Sequence, residues 1–257
     1  MNVLDLFSGI GGFSLGLERA GMRTVAFCEI EPFCRRVLAK HWPGIPCYED
    51  IRALTADRLK ADGIAADIIC GGFPCQDIAA PGKGGGLDGE QSGLWREYAR
   101  LVRELRPRYV IVENSPILLS RGLGHILGDL ATVGYDAEWS VFSACRVGAS
   151  HTRERLFLVA YPDMDGRQAS RSKGNGNDAT ILRRRIDPGY LQEIALAVSR
   201  DSGKAFAREP ELDRVADGVP DRVDRLHGLG NSVIPQIPEI IGRAIMTSVP
   251  SSQGCEP

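Results

Sequence analysis

The sequence predicts an α/β fold, built on a parallel sheet that helices cover on both faces. Short and continuously apolar runs alternate with segments of helical periodicity up to residue 160. Such runs are typical of strands that are buried on both faces of a parallel sheet. Several of them end in loops that carry glycine, proline or acidic residues. Because ligands bind at the carboxyl ends of the strands in such sheets, we expect the chemistry in these loops.

The predicted elements follow one another along the chain. Strands are expected at residues 2–7, 24–28, 66–70, 109–112, 138–142 and 156–160. Helical periodicity is present at residues 13–20, 33–41, 95–105, 126–130 and 238–246. Gly21 follows the first helical segment, where it fits a helix stop.

Composition indicates a globular protein. Of 257 residues, 43% are hydrophobic and 25% are charged, which excludes a disordered, collagen-like or coiled-coil chain. We expect neither a membrane span nor a secretory signal, because no apolar run is long enough. Seven cysteines without a C-x-x-C pair favour reduced thiols in the cytoplasm. The net charge of −2 means that a nucleic-acid binder would need a local basic face.

Composition changes after Tyr161 and predicts the domain boundaries. Residues 162–213 are poor in apolar runs and rich in glycine, serine, asparagine and arginine, and window 167–186 holds six basic residues against one acidic residue. We predict a first domain at 1–161, a small basic lobe at 162–213, a segment at 214–247 that returns to the first domain, and a tail at 248–257.

A glycine-rich turn, Asp5-Leu6-Phe7-Ser8-Gly9-Ile10-Gly11-Gly12, joins the first strand to the first helix. Its glycines would allow a nucleotide-like ligand to approach the backbone, although a tight turn without a ligand is the alternative. The spacing is not G-x-G-x-x-G, so a dinucleotide is not favoured.

Glu29 ends the second strand, where an acidic residue commonly binds ribose hydroxyls; the alternative is a solvated loop carboxylate. Asp50 fits either an adenine amino group or a helix cap before Ile51.

Cys75 is the strongest candidate for a nucleophile. Free cysteines are mostly inert core residues, which fits Cys28, Cys34 and Cys70 on apolar segments. Cys75 instead follows a strand, two glycines and a proline, where partial exposure and backbone amides favour the thiolate. The stretch 80–93 holds six glycines and fits either a mobile lid or a surface loop.

Glu113 and two arginines are further candidates. Glu113 follows the strand at 109–112, where it could exchange a proton with a substrate near the Cys75 loop. The alternative is that this segment only caps a helix, through Asn114 or Ser115. Arg153 and Arg155 alternate, which places both guanidinium groups on one side of an extended segment. They suit an anionic backbone or a carbonyl-rich base, unless the segment is a solvated edge strand.

Together and in this order, these motifs resemble the DNA cytosine-5 methyltransferase family. The resemblance covers the chain except about residues 162–213, and it includes a late Gly230-Asn231-Ser232-Val233. It implies a Rossmann-like, doubly wound and mostly parallel sheet that binds S-adenosylmethionine (SAM), with a small inserted lobe that reads the target sequence. Two positions depart from the family pattern: Ser115 stands where valine is usual, and His151 stands where glutamine is usual.

The resemblance also implies roles for individual residues. Glu29 would bind the ribose of SAM, Ile30 its adenine face, and Asp50 and Ile51 the adenine edge. The other residues expected to line the SAM pocket are Phe7, Gly9, Ile10, Gly11, Gly12, Pro74, Asn231, Ser232 and Val233. Cys75 would be the nucleophile, Glu113 would protonate or bond the cytosine ring nitrogen, and Arg153 and Arg155 would hold the target base. Contacts to DNA are expected from Gln76, Arg183, Arg184 and Arg185.

The implied reaction is methyl transfer to C5 of a flipped-out cytosine in a specific double-stranded DNA sequence, through a Cys75–C6 adduct. We expect a monomeric, cytoplasmic enzyme of bacterial or phage origin without a metal, with a cognate restriction endonuclease as an optional partner. The lobe spans 52 residues, so we expect a short recognition sequence or a stripped-down, phage-like or orphan enzyme. Alternatives are an enzyme acting on a tRNA cytosine and a non-catalytic relative, the latter disfavoured by the presence of Cys75, Glu113, Arg153 and Arg155.

Overall fold

The structure is a computed structural model that describes residues 1–74, 93–149, 151–163, 228 and 231–248. Several sequence predictions fall outside these residues. They concern Cys75, Gln76, the glycine-rich stretch up to residue 92, Arg183, Arg184 and Arg185, nearly all of the predicted basic lobe, Gly230, and the tail from residue 249.

Within the described residues, seven strands form one sheet in the order β3-β2-β1-β4-β5-β7-β6. The strands are β1 (Asn2–Leu6), β2 (Arg23–Cys28), β3 (Cys47–Tyr48), β4 (Ile68–Gly71), β5 (Tyr109–Asn114), β6 (Tyr135–Ser143) and β7 (Glu154–Pro162). Strands β1 to β5 pair in parallel, whereas β7 is antiparallel to both β5 and β6. The mostly parallel α/β sheet predicted from the sequence is therefore confirmed.

Helices lie between and after these strands. They are α1 (Gly12–Arg19), α2 (Pro32–His41), α3 (Ala56–Ala61), α4 (Leu94–Leu105), α5 (Leu118–Arg121), α6 (Leu123–Thr132) and α7 (Gln236–Ser248), with a 3₁₀ turn at Ala144–Val147. The longest described helix has 13 residues, and no described helix has the length and hydropathy to span a membrane.

The strand order determines where the sheet has a crevice that could hold a ligand. The chain builds β2 and β3 on one side of β1 and then crosses to build β4 and β5 on the other side. Neighbouring crossovers therefore diverge between β1 and β4, which leaves a crevice at the carboxyl ends of these two strands. The glycine-rich turn follows β1 at this crevice, and Gly72-Phe73-Pro74 follows β4.

Both faces of the sheet are buried, which explains the continuously apolar strands. Leu4, Ile69 and Val110 join one core cluster with side chains of α3, α4 and α6. Their chain neighbours Val3 and Ile68 join a second cluster with side chains of α1 and α7. Alternate residues of a strand point to opposite faces, so a strand between two helical layers must be apolar throughout.

Helices α1 and α7 pack closely through glycines. A Cβ on Gly12 would clash with the carbonyl oxygen of Val233, and a Cβ on Gly16 would clash with that of Pro235. On the facing helix, a Cβ on Gly242 would lie 2.7 Å from Cβ of Ala20. This contact brings the backbone before α7 against the first turn of α1.

Candidate active site

The turn after β1 has an unusual backbone. Phe7, Gly9 and Gly11 have positive φ angles of 52°, 53° and 89°, a conformation that costs a residue with a side chain more than it costs glycine. The hydroxyl of Ser8 donates to the carbonyl of Asp5 at 2.6 Å, and the amide of Gly11 donates to the carbonyl of Ser8 at 2.9 Å. A Cβ added at Gly9 would have none of the described residues within 4 Å, so these residues leave open space at the turn.

Glu29 connects the end of β2 to this turn. Its side chain is 7% exposed; Oε2 accepts a hydrogen bond from the amide of Gly9 at 2.6 Å, and Oε1 accepts one from the amide of Glu31 at 2.8 Å. The alternative of a solvated loop carboxylate is therefore wrong. A carboxylate has about four lone-pair positions, so two remain for ligand hydroxyls.

Asp50 and its neighbours lie beyond the end of β3. The carboxylate of Asp50 accepts from the amide of Arg52 at 2.9 Å and pairs with the Arg52 guanidinium at 2.8 Å, which lowers the pKa of Asp50. The alternative of a helix cap at Asp50 is wrong, because residues 51–53 form a turn. Ile51 is 4% exposed and packs in the core, whereas Ile30 is 57% exposed.

Residues from the C-terminal side reach the same turn. A Cβ added at Gly228 would lie 3.3 Å from a methyl carbon of Ile10, and a Cβ added at Gly12 would clash with the carbonyl oxygen of Val233. Ser232 and Val233 are half-buried, while Asn231 is exposed. The structure thus brings two distant predicted groups, the glycine-rich turn and residues 231–233, to one place.

Glu113 is a buried carboxyl group beside an arginine. Its side chain is 11% exposed, and its Oε1 lies 2.9 Å from Nε of Arg155. Burial raises the pKa of Glu113 to about 7, although the positive charges of Arg155 and Arg153 act in the opposite direction. Such a carboxyl group carries a proton part of the time near neutral pH.

Asn114 ties the end of β5 to the segment after β4. Its Nδ2 donates to the carbonyl of Phe73 at 3.1 Å, and its Oδ1 accepts from the amide of Ser115 at 2.8 Å. The alternative of a helix cap is wrong for Asn114, whereas the hydroxyl of Ser115 does accept from the amide of Ile117 at 3.4 Å, just before α5 begins at Leu118. Asn114 instead holds two neighbouring strand ends together.

The two arginines stand at the start of β7. Arg155 lies within the strand and Arg153 directly precedes it. Burial and the nearby charge of Arg155 lower the pKa of Arg153. The alternative of a solvated edge strand is wrong, since β7 lies between β5 and β6.

The backbone that leads to Cys75 runs past Glu113. A Cβ on Gly72 would clash with Oε2 of Glu113, and the next residue, Phe73, is buried against Trp95 with ring centroids 5.5 Å apart. Pro74 is half-buried and is the last residue described before Cys75. Three other cysteines, Cys28, Cys34 and Cys70, are buried as predicted.

Asp5 is fully buried, and no role is predicted for it from the sequence. Its Oδ2 accepts from the hydroxyl of Ser14 at 2.7 Å and from the Ser14 amide at 3.3 Å, which holds the first turn of α1. Burial raises the pKa of Asp5 to about 7. A charged residue inside an apolar strand was the available signal, but its partner could be identified only from the fold.

Comparisons with known proteins relate this chain to DNA methyltransferases. The family model for C-5 cytosine-specific DNA methylase matches residues 1–184. Type II methyltransferase M2.BsuMI of Bacillus subtilis is 33% identical over 168 residues, which cover 62% of this chain and 42% of that protein. Type II methyltransferase M.NgoMIV of Neisseria gonorrhoeae is 36% identical over 162 residues, which cover 61% of this chain and 50% of that protein.

A solved structure is also similar. A protein described as a DNA modification methyltransferase encoded within a prophage of E. coli superposes with a TM-score of 0.55 and 29% identity, over 63% of this chain and 47% of that chain. This chain therefore spans about half or less of the length of these relatives. The family model nevertheless covers well over half of the chain, and the match begins at the strand that carries the glycine-rich turn. We conclude that the chain belongs to the C-5 cytosine-specific DNA methylase family.

Proposed function

We propose that this protein transfers a methyl group from SAM to C5 of cytosine in double-stranded DNA. The observation that carries the proposal is the buried carboxyl group of Glu113. It is paired with Arg155 and lies against Gly72, three residues before Cys75. In this role Glu113 would be a proton donor next to the backbone that leads to the proposed nucleophile. Family membership supports the same reaction.

The residues at the end of β1 and β2 fit SAM. The open space at Gly9 admits a ligand close to the backbone, and the buried carboxylate of Glu29 retains acceptor positions for ribose hydroxyls. The exposed Ile30 side chain would cover the adenine face, and Asp50 with Ile51 would meet its edge. Residues proposed to complete the pocket are Phe7, Ile10, Gly11, Gly12, Pro74, Asn231, Ser232 and Val233. When bound, SAM supplies an electrophilic methyl group.

The chain's own residues would make cytosine reactive. C5 of cytosine is a weak nucleophile, so the Cys75 thiolate would add to C6 while Glu113 gives a proton to N3. The bond formed at C6 pushes electron density to C5, which then takes the methyl group. Water takes the C5 proton, the C6–S bond breaks to release the Cys75 thiolate, and N3 returns its proton to Glu113, which restores the aromatic ring. A carboxyl group with a pKa of about 7 suits the donor role.

Access to the base requires contacts with DNA. A cytosine inside a duplex must swing out of the stack, which costs about a few kcal/mol. Arg153 and Arg155 would hold the displaced base and nearby backbone, and Gln76 would lie on the DNA side of the catalytic loop. Arg183, Arg184 and Arg185 would contact phosphates from a recognition lobe at 162–213. The proposal also includes a catalytic domain at 1–161 with a returning segment at 214–247. The protein would be a monomer in the cytoplasm, with an endonuclease as an optional partner.

The reaction can be tested by trapping its adduct. The protein is incubated with SAM and a long duplex in which 5-fluorocytosine replaces cytosine, so that every short target sequence is present. Fluorine cannot leave C5 as the proton does, so we expect a protein–DNA adduct that survives denaturing electrophoresis. Cys75→Ser should give no adduct, whereas Cys145→Ser, at an exposed cysteine, should behave like the wild type.

Other outcomes would change the proposal. An adduct with fluorocytosine RNA but not with DNA would assign the enzyme to RNA. No adduct on either nucleic acid, with a wild-type protein that binds SAM, would remove covalent catalysis. An undiminished adduct with Cys75→Ser would show that another residue attacks.

A further inference from the structure

Arg100 lies on α4, away from the residues assigned above, yet its guanidinium reaches the Asp50 turn. Nη2 donates to the carbonyl of Ile51 at 2.9 Å and to the carbonyl of Leu54 at 2.8 Å. Nη1 donates to Oε1 of Glu104 at 2.9 Å, and Nε donates to Oε2 of Glu97 at 2.7 Å. Every arm of the side chain is therefore engaged, and two bonds go to the backbone of one short segment.

Glu104 holds the other end of that segment. Its Oε2 accepts from the amide of Ala56 at 3.1 Å, which is the first residue of α3. Its Oε1 is the acceptor for Arg100. The two side chains, one turn apart on α4, thus fix the backbone from residue 51 to residue 56 as a unit.

The fixed segment carries the residues proposed to meet the adenine edge. The amide of Ala53 donates to the carbonyl of Asp50 at 3.1 Å, and the amide of Leu54 donates to the carbonyl of Ile51 at 3.2 Å. These bonds make a tight turn in which Asp50 cannot move independently of Ile51 and Leu54. Arg52 orients the Asp50 carboxylate through its amide and guanidinium, while Arg100 holds the backbone turn from which that carboxylate projects.

We propose that Arg100, supported by Glu104, is a positioning residue that holds the Asp50–Ile51 turn in the shape that reads the 6-amino group of adenine. The inference rests on the proposed function, because it assumes that this turn meets the adenine of SAM. Without Arg100, the turn would occupy several arrangements, and the affinity would fall by the fraction of molecules in the competent one.

The test measures ligand binding by calorimetry on the full chain. The ligands are S-adenosylhomocysteine and S-inosylhomocysteine, which has a carbonyl in place of the 6-amino group. The variants are Arg100→Gln and Arg100→Lys. Arg103→Gln, at an exposed position of the same helix, is the matched control. Thermal unfolding shows whether each variant is folded.

We expect the wild type and Arg103→Gln to prefer the adenosyl ligand. Arg100→Gln should bind that ligand about tenfold more weakly, with little loss for the inosyl ligand, so that the preference disappears. Arg100→Lys keeps the charge but not the paired donors and should give an intermediate preference. If Arg100→Gln does not fold, the loss of preference for the adenosyl ligand is tested with Arg100→Lys and Glu104→Gln instead.

The proposal is overturned if the folded Arg100 variants keep the wild-type preference, or if they lose both ligands equally. A wild-type protein that binds both ligands equally also overturns it, while the proposed SAM site stands. A wild-type protein that binds neither ligand overturns this inference and the proposed function together. The same titrations distinguish these outcomes from one another.

Discussion

Oε1 of Glu113 lies 2.9 Å from Nε of Arg155, and this ion pair links the end of β5 to the start of β7. The strands are antiparallel, and Glu113 is paired in register with Phe157. Arg155 is two residues from Phe157, so its side chain points to the same face of the sheet as Glu113. Strand register, rather than proximity along the chain, therefore creates the pair.

The pKa of Glu113 predicts how methyl transfer depends on pH. A carboxyl group that donates a proton must be protonated, so the wild-type rate should fall as pH rises through about 7. Glu113→Gln should lower the rate about 10²–10⁴-fold, and its residual rate should lack that decline. Transfer of a labelled methyl group from SAM to DNA measures both. Glu154→Gln, an exposed neighbour of Arg155, should keep the wild-type profile, and a normal rate for Glu113→Gln would show that another group is the acid.

Gly72 leaves the space that the Glu113 carboxyl group occupies. Gly72→Ala would place a Cβ against Oε2 of Glu113, and the flexible carboxyl group would turn away from its position beside Arg155. We expect at least a tenfold lower rate of transfer with little change in the unfolding temperature. Gly128→Ala, whose Cβ would meet none of the residues described by the structure within 4 Å, should leave the rate unchanged. Full activity of Gly72→Ala would show that the carboxyl position is not critical.

The sequence predicted the strands that are buried on both faces, because an unbroken run such as residues 109–112 has few alternatives. It did not predict β3 (Cys47–Tyr48) or α3 (Ala56–Ala61), since elements of two and six residues show no measurable periodicity. Glu113 was identified because it stands where a strand ends. Arg100 was not, because its partners are backbone carbonyls 46 and 49 residues earlier, and only the fold brings them together.

Gly12 controls how the segment before α7 docks. Gly12→Ala would place a Cβ against the carbonyl oxygen of Val233, and neither backbone can move without disturbing the α1–α7 contact. We expect a loss of about 1–3 kcal/mol in the free energy of unfolding, together with weaker binding of S-adenosylhomocysteine. Denaturant unfolding and calorimetry measure the two effects. Gly124 lies on α6, where an added Cβ would have no neighbour within 4 Å in the described part of the chain. Gly124→Ala should therefore be neutral or slightly stabilising. Wild-type behaviour of Gly12→Ala would mean that the segment docks differently.

Asp5 should make the stability of the protein depend on pH. Within the described residues no hydrogen-bond partner reaches its buried Oδ1. Burial raises its pKa from 3.8 to about 7, hydrogen bonds from Ser14 oppose the shift, and the charge of Glu29 adds to it. Between these two values the folded protein binds a proton that the unfolded chain has lost. Stability contributed by this group is therefore present at low pH and is lost as pH rises toward about 7.

Asp5→Asn cannot ionise, so its free energy of unfolding relative to the wild type should increase between about pH 4 and about pH 7. Urea unfolding across that range measures the difference, in which the titration of Glu113 cancels because both proteins contain it. Asp57→Asn, at an exposed position in the first turn of α3, is the control for exchanging a carboxylate for an amide. Parallel curves for Asp5→Asn and the wild type would mean that Asp5 stays ionised in the folded protein.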